Sequence, residues 1–566
     1  MKSRCRSKLV VACTLLVGLF AASQAFADDD DKDRCAGASS LRLVNGNIVT
    51  MDARNSVVSS VTIRNGRIAA VGHRGDDGGG HCTRVIDLHG RTAIPGLVDN
   101  HNHIVLLGIR PGHDTRLESA ASIADVQELI RERARTVPPN EFITAIGGWN
   151  SVQFAEKRLP TLAELDAATT QHPVYVQQSF TGPSATNSLG KTFFETRGVA
   201  VSATGQIAAN APTLVALNAL RAIQTFEDRK RGTLDATAYG AGLGVTTHLD
   251  MGGFVIPGTP HTEGSFLFDG AASWNPYTAY DAFLQLQREG RLPVRLRVFF
   301  LSMDTQLENP LLTNRVLNAF REFGGDMMKI VGLGEFITTW PLFGPVVEPP
   351  NYAAAIRTAA ERGWIYQQHT LSLAEDQFTT SAWERLNNDI PIADLHWSIA
   401  HAVTIDQPTV NRLKAMGAGL ALHGFRYLAG TPAAKGPPYR MIVDSGIRAG
   451  AGSDSAQIST LNPWLMIYYM VTGKNSSGVL INAGQTLTRL EALRLYTAAN
   501  GWFSKEEDLL GSIEVGKYGD IVVLNDNFLD PRRVSDEGIK RMRSVLTIVG
   551  GKIAHDEDSD RGRPRR

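Results

Sequence analysis

From residue 96 to residue 510 the chain alternates short apolar runs with helical stretches. Val174-Tyr175-Val176 and residues 294–300 and 327–331 read as strands, while residues 123–135 and 280–288 read as helices. Alternation on this scale demands a parallel α/β architecture, because each parallel strand needs a crossover and a helix supplies it. A (β/α)8 TIM-like barrel is the expected form, with its chemistry at the C-terminal ends of the strands. The flanks read differently. Asn45-Gly46, Asn65-Gly66 and Gly550-Gly551 each sit among β-branched residues, and these are the preferred pairs of two-residue hairpin turns. Two lie near the N-terminus and one near the C-terminus, so a small β-sandwich built from both chain ends is expected around the barrel. Residues 515–524 would bring the chain back to it as a further strand.

Chemistry-bearing residues fall at the ends of the apolar runs. Ala93-Ile94-Pro95-Gly96-Leu97-Val98-Asp99-Asn100 leads straight into His101-Asn102-His103. Residues i and i+2 of a strand point the same way, so two imidazoles can share one metal ion. Lys329 follows Met327-Met328, His369 ends residues 364–368, His401 ends residues 396–400, and Asp454 follows residues 447–453. A barrel of about 250 residues allots about 30 to each strand–helix unit. Lys329 to His369 is 40 residues, His369 to His401 is 32, and His401 to Asp454 is 53. Strands four, five, six and eight would then carry Lys, His, His and Asp. His103 to Lys329 is 226 residues, so an insertion of roughly 130 residues is expected in the N-terminal half of the barrel. His248 and His423 also end apolar runs and read as structural or substrate-facing. His396 lies before its strand's end and yields to His401. Trp149, Trp464 and Phe425 read as core or pocket wall, and His73, His81 and His89 as surface or packing residues of the β-domain.

The N-terminus reads as an address. Lys2, Arg4, Arg6 and Lys8 precede an uncharged apolar stretch at residues 9–22, and Ala25-Phe26-Ala27 supplies a small-x-small cleavage pattern. This is the form of a secretory signal peptide, and 14 apolar residues fall short of the roughly 20 that a span needs. The expectation is a periplasmic or secreted protein cleaved after Ala27. The 566-residue chain balances 57 basic against 57 acidic residues. Removal of residues 1–27 leaves 53 against 57, a net charge of −4. That argues against a nucleic-acid-binding surface. Of four cysteines, only Cys35 and Cys82 remain, which in an oxidising compartment reads as one disulfide. Asp28-Asp29-Asp30-Asp31-Lys32 reads as a solvated linker or a protease tag, and residues 557–566 as a charged tail.

The chain resembles the metal-dependent amidohydrolases, and within them amidohydrolase family 3. The resemblance rests on residues 95–103, Gly147-Gly148-Trp149-Asn150, Arg158-Leu159-Pro160-Thr161, His172-Pro173-Val174, Ala451-Gly452-Ser453-Asp454, Asn462-Pro463-Trp464 and residues 511–520. It implies a split sandwich at residues 41–95 and 511–556, a barrel at 96–510 with an insertion at about 110–240, and hydrolysis of an amide-type C–N bond in a small molecule. His101 and His103 would hold one divalent metal, zinc by default, and His369 and His401 a second. Lys329, modified by CO₂ to a carbamate, would bridge the two. Asp454 would bind the first metal and shuttle the proton of a metal-activated hydroxide. The expected partner is a small-molecule substrate, with no nucleic acid and no membrane span; a homo-oligomer is left open. Three segments depart from the family pattern: Thr370-Leu371-Ser372-Leu373 after His369, Gly182-Pro183-Ser184-Ala185 where relatives carry a histidine, and Ile330-Val331-Gly332-Leu333-Gly334-Glu335 after Lys329 in place of the usual Asp-Gly. Esterase, lactonase or deaminase chemistry would use the same ligands. A non-catalytic binding or regulatory protein keeping the fold is the alternative of another class.

Overall fold

Eight strands, each parallel to the next, form a near-closed barrel: Leu97–Asn102, Val245–Asp250, Arg295–Phe300, Met328–Glu335, Ile365–His369, Ser398–His401, Gly419–His423 and Arg448–Gly452. The expected TIM-like fold is the fold observed. The computed structural model describes residues 40–73, 82–252, 278–339, 346–455 and 458–558. The signal segment and Cys35 lie outside the described residues; Cys82 is disulfide-bonded.

The first and eighth strands lie side by side, and their approach is close enough to require glycine. A Cβ on Gly452 would lie 2.6 Å from the His101 backbone nitrogen. The Asp454 N–H donates to the His101 carbonyl at 2.8 Å, and Asp99 accepts from the Ser453 N–H at 2.8 Å and hydroxyl at 2.5 Å. These bonds tie both metal-ligand segments into one seam. At the opposite end, Trp502 and Phe503 pack with Val98, Leu249, Phe299 and Val331. Two ion pairs complete that floor: Arg295 on Asp520 at 2.7 and 2.8 Å, and Arg297 on Glu506 at 2.6 and 3.0 Å. Outside the fifth and sixth strands, Trp364, Trp383 and Trp397 are fully buried with Tyr352 and Tyr366. Their polar edges are satisfied, the Trp383 indole N–H by the Tyr352 hydroxyl and the Trp397 N–H by the Trp364 carbonyl.

Both chain ends build the sandwich. One sheet holds Ser40–Val44, Ser60–Arg64, Arg67–Gly72 and Thr83–Asp87; the other holds Asn47–Val49, Val57–Val58, Thr92–Pro95, Ile521–Leu524, Ser544–Val549 and Lys552–Asp556. Leu43, Val61 and Ile63 meet Ile48, Ile521 and Ile548 between the sheets. Asn65-Gly66 (φ 50° and 77°) and Gly550-Gly551 (φ 56° and 74°) make two-residue hairpin turns with the positive φ angles such turns need. Asn45-Gly46 does not: the strands on either side pair in different sheets. That dipeptide is the corner where the chain crosses the sandwich.

The insertion lies between the first and second barrel strands. Its five-stranded sheet runs in the order Gln206–Ile207, Ser184–Thr186, Val174–Gln177, Ile143–Ile146, His113–Asp114. Val174–Gln177 thus belongs to the insertion and not to the barrel. A core of its own, including Val126, Ile143, Trp149, Phe154, Leu165 and Val176, holds the insertion together. Gly148 reaches the loop after the eighth strand, where an added Cβ would touch the Ser459 carbonyl oxygen at 3.5 Å. The insertion therefore stands at the end of the barrel where the strand C-termini emerge.

Candidate active site

Six side chains converge at those strand ends: His101 and His103 from the first strand and the residue after it, Glu335 from the fourth, His369 from the fifth, His401 from the sixth and Asp454 after the eighth. A parallel barrel aims all of its strand C-termini at one mouth, so residues far apart in sequence meet there. Glu335 is the hub. Its carboxylate lies 3.3 Å from His103 Nε2, 2.5 Å from His369 Nδ1, 3.3 Å from His401 Nε2 and 3.7 Å from His101 Nε2. Asp454 faces the same group, 3.6 Å from His101 Nε2, His103 Nε2 and His401 Nδ1. All six are nine-tenths buried or more.

Lys329 is not among them. It stands at the start of the fourth strand, whose end is Glu335. Six residues at about 3.3 Å each separate the two by roughly 20 Å. Its ammonium donates to Glu506 at 3.0 Å, joining the ion pairs of the barrel floor. The expectation of a carbamylated Lys329 among the histidines is therefore corrected: the side chain that stands there is the Glu335 carboxylate. The reason is strand length. The apolar run at residues 327–331 covers only the first part of a strand that continues through Gly332, Leu333 and Gly334 to Glu335. A carboxylate is already an anion, so it can join two cations without the chemistry that lysine would need.

His423, which ends the seventh strand, is the second residue that sequence reasoning undervalued. Its Nδ1 lies 2.7 Å from His401 Nδ1, and its ring centroid 4.2 Å from that of His101. The signal was an apolar strand ending on histidine, the same that marked His369. His248, with the same signal, bonds to the Asn102 side chain at 3.0 Å, and its Nε2 lies 3.1 Å from where a Cβ on Gly240 would stand. It packs towards the helix Phe226–Gly242 and not into the cluster. His396 is stacked on Trp502 and bonded to its carbonyl at 2.6 Å, away from the site.

The donor set fits divalent metal. Three buried ring nitrogens, Nε2 of His101, His369 and His423, have no hydrogen-bond partner among the described residues, an expensive condition unless a ligand-accepting cation uses them. The other ring nitrogen is anchored in two cases: His101 Nδ1 meets the Gln367 side-chain oxygen, and His103 Nδ1 meets the Gly252 carbonyl at 2.9 Å. Such bonds fix the orientation of each ring and turn its Nε2 towards the cluster. Burial pulls His101 down to about 3, and burial with the neighbouring His101 and His401 holds His423 well below its ordinary value, so both are neutral, the form that binds metal. Burial opposes charge at His103 and His369 too, yet the carboxylates of Glu335 and Asp454 outweigh it and raise both. The cavity as a whole favours positive charge. Two overlapping groups suit two ions, His101, His103 and Glu335 for one and Glu335, His369 and His401 for the other; His101, His401 and His423 form a third.

The family model described as "Amidohydrolase family" matches residues 84–555. The chain belongs to the amidohydrolase family. It is a metal-dependent hydrolase of carbon–nitrogen bonds, as the sequence led one to expect. This amidohydrolase is 22% identical to the N-substituted formamide deformylase of Arthrobacter pascens, over 91% of this chain and 98% of that one. It is 24% identical to the putative amidohydrolase YtcJ of Bacillus subtilis (strain 168), over 84% and 91% of the two chains. Among solved structures, an uncharacterized metal-dependent hydrolase from Pyrococcus horikoshii OT3 superposes with a TM-score of 0.58 at 18% identity, covering 87% of this chain and 98% of that one.

Proposed function

We propose that this amidohydrolase cleaves an amide-type C–N bond of a small molecule, water and amide giving a carboxylic acid and an amine. The observation that carries the reading is the convergence of unpartnered imidazole nitrogens on two carboxylates at the barrel mouth. His101, His103, Glu335, His369, His401 and Asp454 would hold one or two divalent ions, zinc by ligand chemistry, with His423 at their edge. Such an ion supplies an acidified water and an electrophile for the scissile carbonyl. The protein's own part is orientation and proton handling. Gln367 and the Gly252 carbonyl keep the first-strand histidines turned inward. Asp454 is held by its backbone bond to His101, so its carboxylate oxygen can take the proton of the attacking water and pass it to the departing nitrogen. The signal-like segment supports export to the periplasm or beyond as part of the same proposal.

Metal content and a substrate screen test the reading together. Protein purified without chelator is expected to carry at least one zinc-like divalent ion per chain and to hydrolyse members of a panel of N-formyl and N-acyl amides. Asp454→Asn should keep its metal and lose about 10²–10⁴ in kcat. Metal below one equivalent, or an Asp454→Asn enzyme at the parent rate, would refute it.

A further inference from the structure

Arg426 stands just beyond the seventh strand, three residues after His423, and opens the helical turn Arg426–Ala429. That turn packs against Ser151–Gln153 of the insertion, so the residue lies where barrel mouth and insertion meet. Its guanidinium carbon is 4.9 Å from the Phe425 ring centroid, and that ring is 6.0 Å from the His401 ring. The two steps place the guanidinium no farther than about 11 Å from His401, within the length of one small-molecule substrate.

Arg426 is partly buried without an anion. Its Nε is buried and makes no hydrogen bond, and among the described residues no carboxylate stands within ion-pair distance. Tyr469, the ionisable side chain that acts on it, is neutral and donates its hydroxyl to the Gly436 carbonyl. By contrast, the buried guanidinium groups of Arg295 and Arg297 are paired with carboxylates, Asp520 and Glu506. A partly desolvated cation left unpaired costs free energy that an arriving anion would recover.

We infer that Arg426 is a specificity residue that binds a carboxylate carried by the substrate, so that the amides cleaved here are acidic ones, of the N-acyl amino acid class. The planar guanidinium fork matches a carboxylate in bidentate geometry. With the carboxylate held at Arg426, a substrate's amide a few bonds away reaches the histidine cluster past Phe425. The inference rests on the amide-hydrolase reading above and deepens it.

The test compares N-formyl-phenylalanine and N-formyl-leucine with their C-terminal amides, using the metal-loaded enzyme. The carboxylates are expected to be favoured about 10- to 100-fold in kcat/KM, the range of a charge-assisted contact. In Arg426→Gln that ratio should fall towards one, mainly through KM, and Arg426→Lys should retain part of it. A merely structural role would lower both substrates alike and leave the ratio intact. That outcome, or a parent enzyme without the preference, overturns the inference. Should no amide be hydrolysed, the function reading fails by itself and calorimetry still decides Arg426. Tighter binding of N-formyl-phenylalanine than of its amide, lost in Arg426→Gln, supports it, whereas equal or absent binding overturns it.

Discussion

Replacing Glu335 by glutamine separates the carboxylate found among the histidines from the lysine that sequence suggested as the bridge. The substitution keeps shape and volume and removes one negative charge from the centre of the cluster. A unit charge at 3.3 Å, the distance from Glu335 to His103 Nε2, is worth about 5 kcal/mol at an effective dielectric of 20. Each 1.4 kcal/mol is tenfold in affinity, so metal binding should weaken by roughly three orders of magnitude. Chelator competition followed by elemental analysis reads this directly. Glu335→Gln is expected to fall from the parent stoichiometry to one ion or none under conditions where the parent is full, and hydrolysis should fall with it. Lys329→Met, in the same assay, should keep the parent's metal. The reverse pattern, with metal retained in Glu335→Gln and lost in Lys329→Met, would refute the placement of the bridge and restore the lysine.

Further outcomes follow from the floor, the seam and the N-terminus. Burial alone would raise the Glu506 carboxyl, but Arg297 and then Lys329 outweigh it and hold it below the usual value. Its contribution to stability is therefore present above the unfolded carboxylate pKa and is lost as pH falls through the lower folded one. Glu506→Gln should cost about 3–5 kcal/mol near neutral pH by leaving Arg297 buried and unpaired. Urea titrations across pH should also show less acid dependence than in the parent, and an unchanged profile would count against the pair. Gly452→Ala puts a Cβ 2.6 Å from the His101 nitrogen and should lose about 1–3 kcal/mol and metal affinity together; an unchanged melting temperature would show that the seam has slack. N-terminal sequencing of the protein recovered from outside the cytoplasm should begin at Asp28, and an intact Met1 would remove the export proposal.

Much of the site was legible because a barrel turns local pattern into position. An apolar run that ends on histidine predicts a ligand at the mouth, and this one rule reaches His101, His103, His369 and His401. It reaches His423 as well, where the same signal was set aside, and it misleads at His248, whose ring turns outward to the helix behind the second strand. Lys329 shows where the rule stops. A residue's place at the start or the end of its strand decides whether it meets the site or the floor, and the two glycines of Val331-Gly332-Leu333-Gly334 read as the end of the strand although it continues through them. Turn chemistry has the same limit. Asn65-Gly66 and Asn45-Gly46 are identical as dipeptides, yet one closes a hairpin and the other changes sheet, because the pairing partners of the flanking strands differ.

The sequence by itself determined the architecture and the inventory. Strand–helix alternation specified a parallel barrel, β-branched segments at both ends specified a split sandwich, and strand-end histidines specified a candidate metal site, which the family resemblance turned into a hydrolase. Those are properties of local pattern, since periodicity and turn residues act over a few residues. Only the tertiary structure decided which anion lies among the histidines, and that Lys329 serves an ion pair on the floor. It also brought Arg426 without a partner to the meeting of barrel and insertion. Those outcomes depend on distances between strands and loops far apart in the chain, which no local pattern encodes.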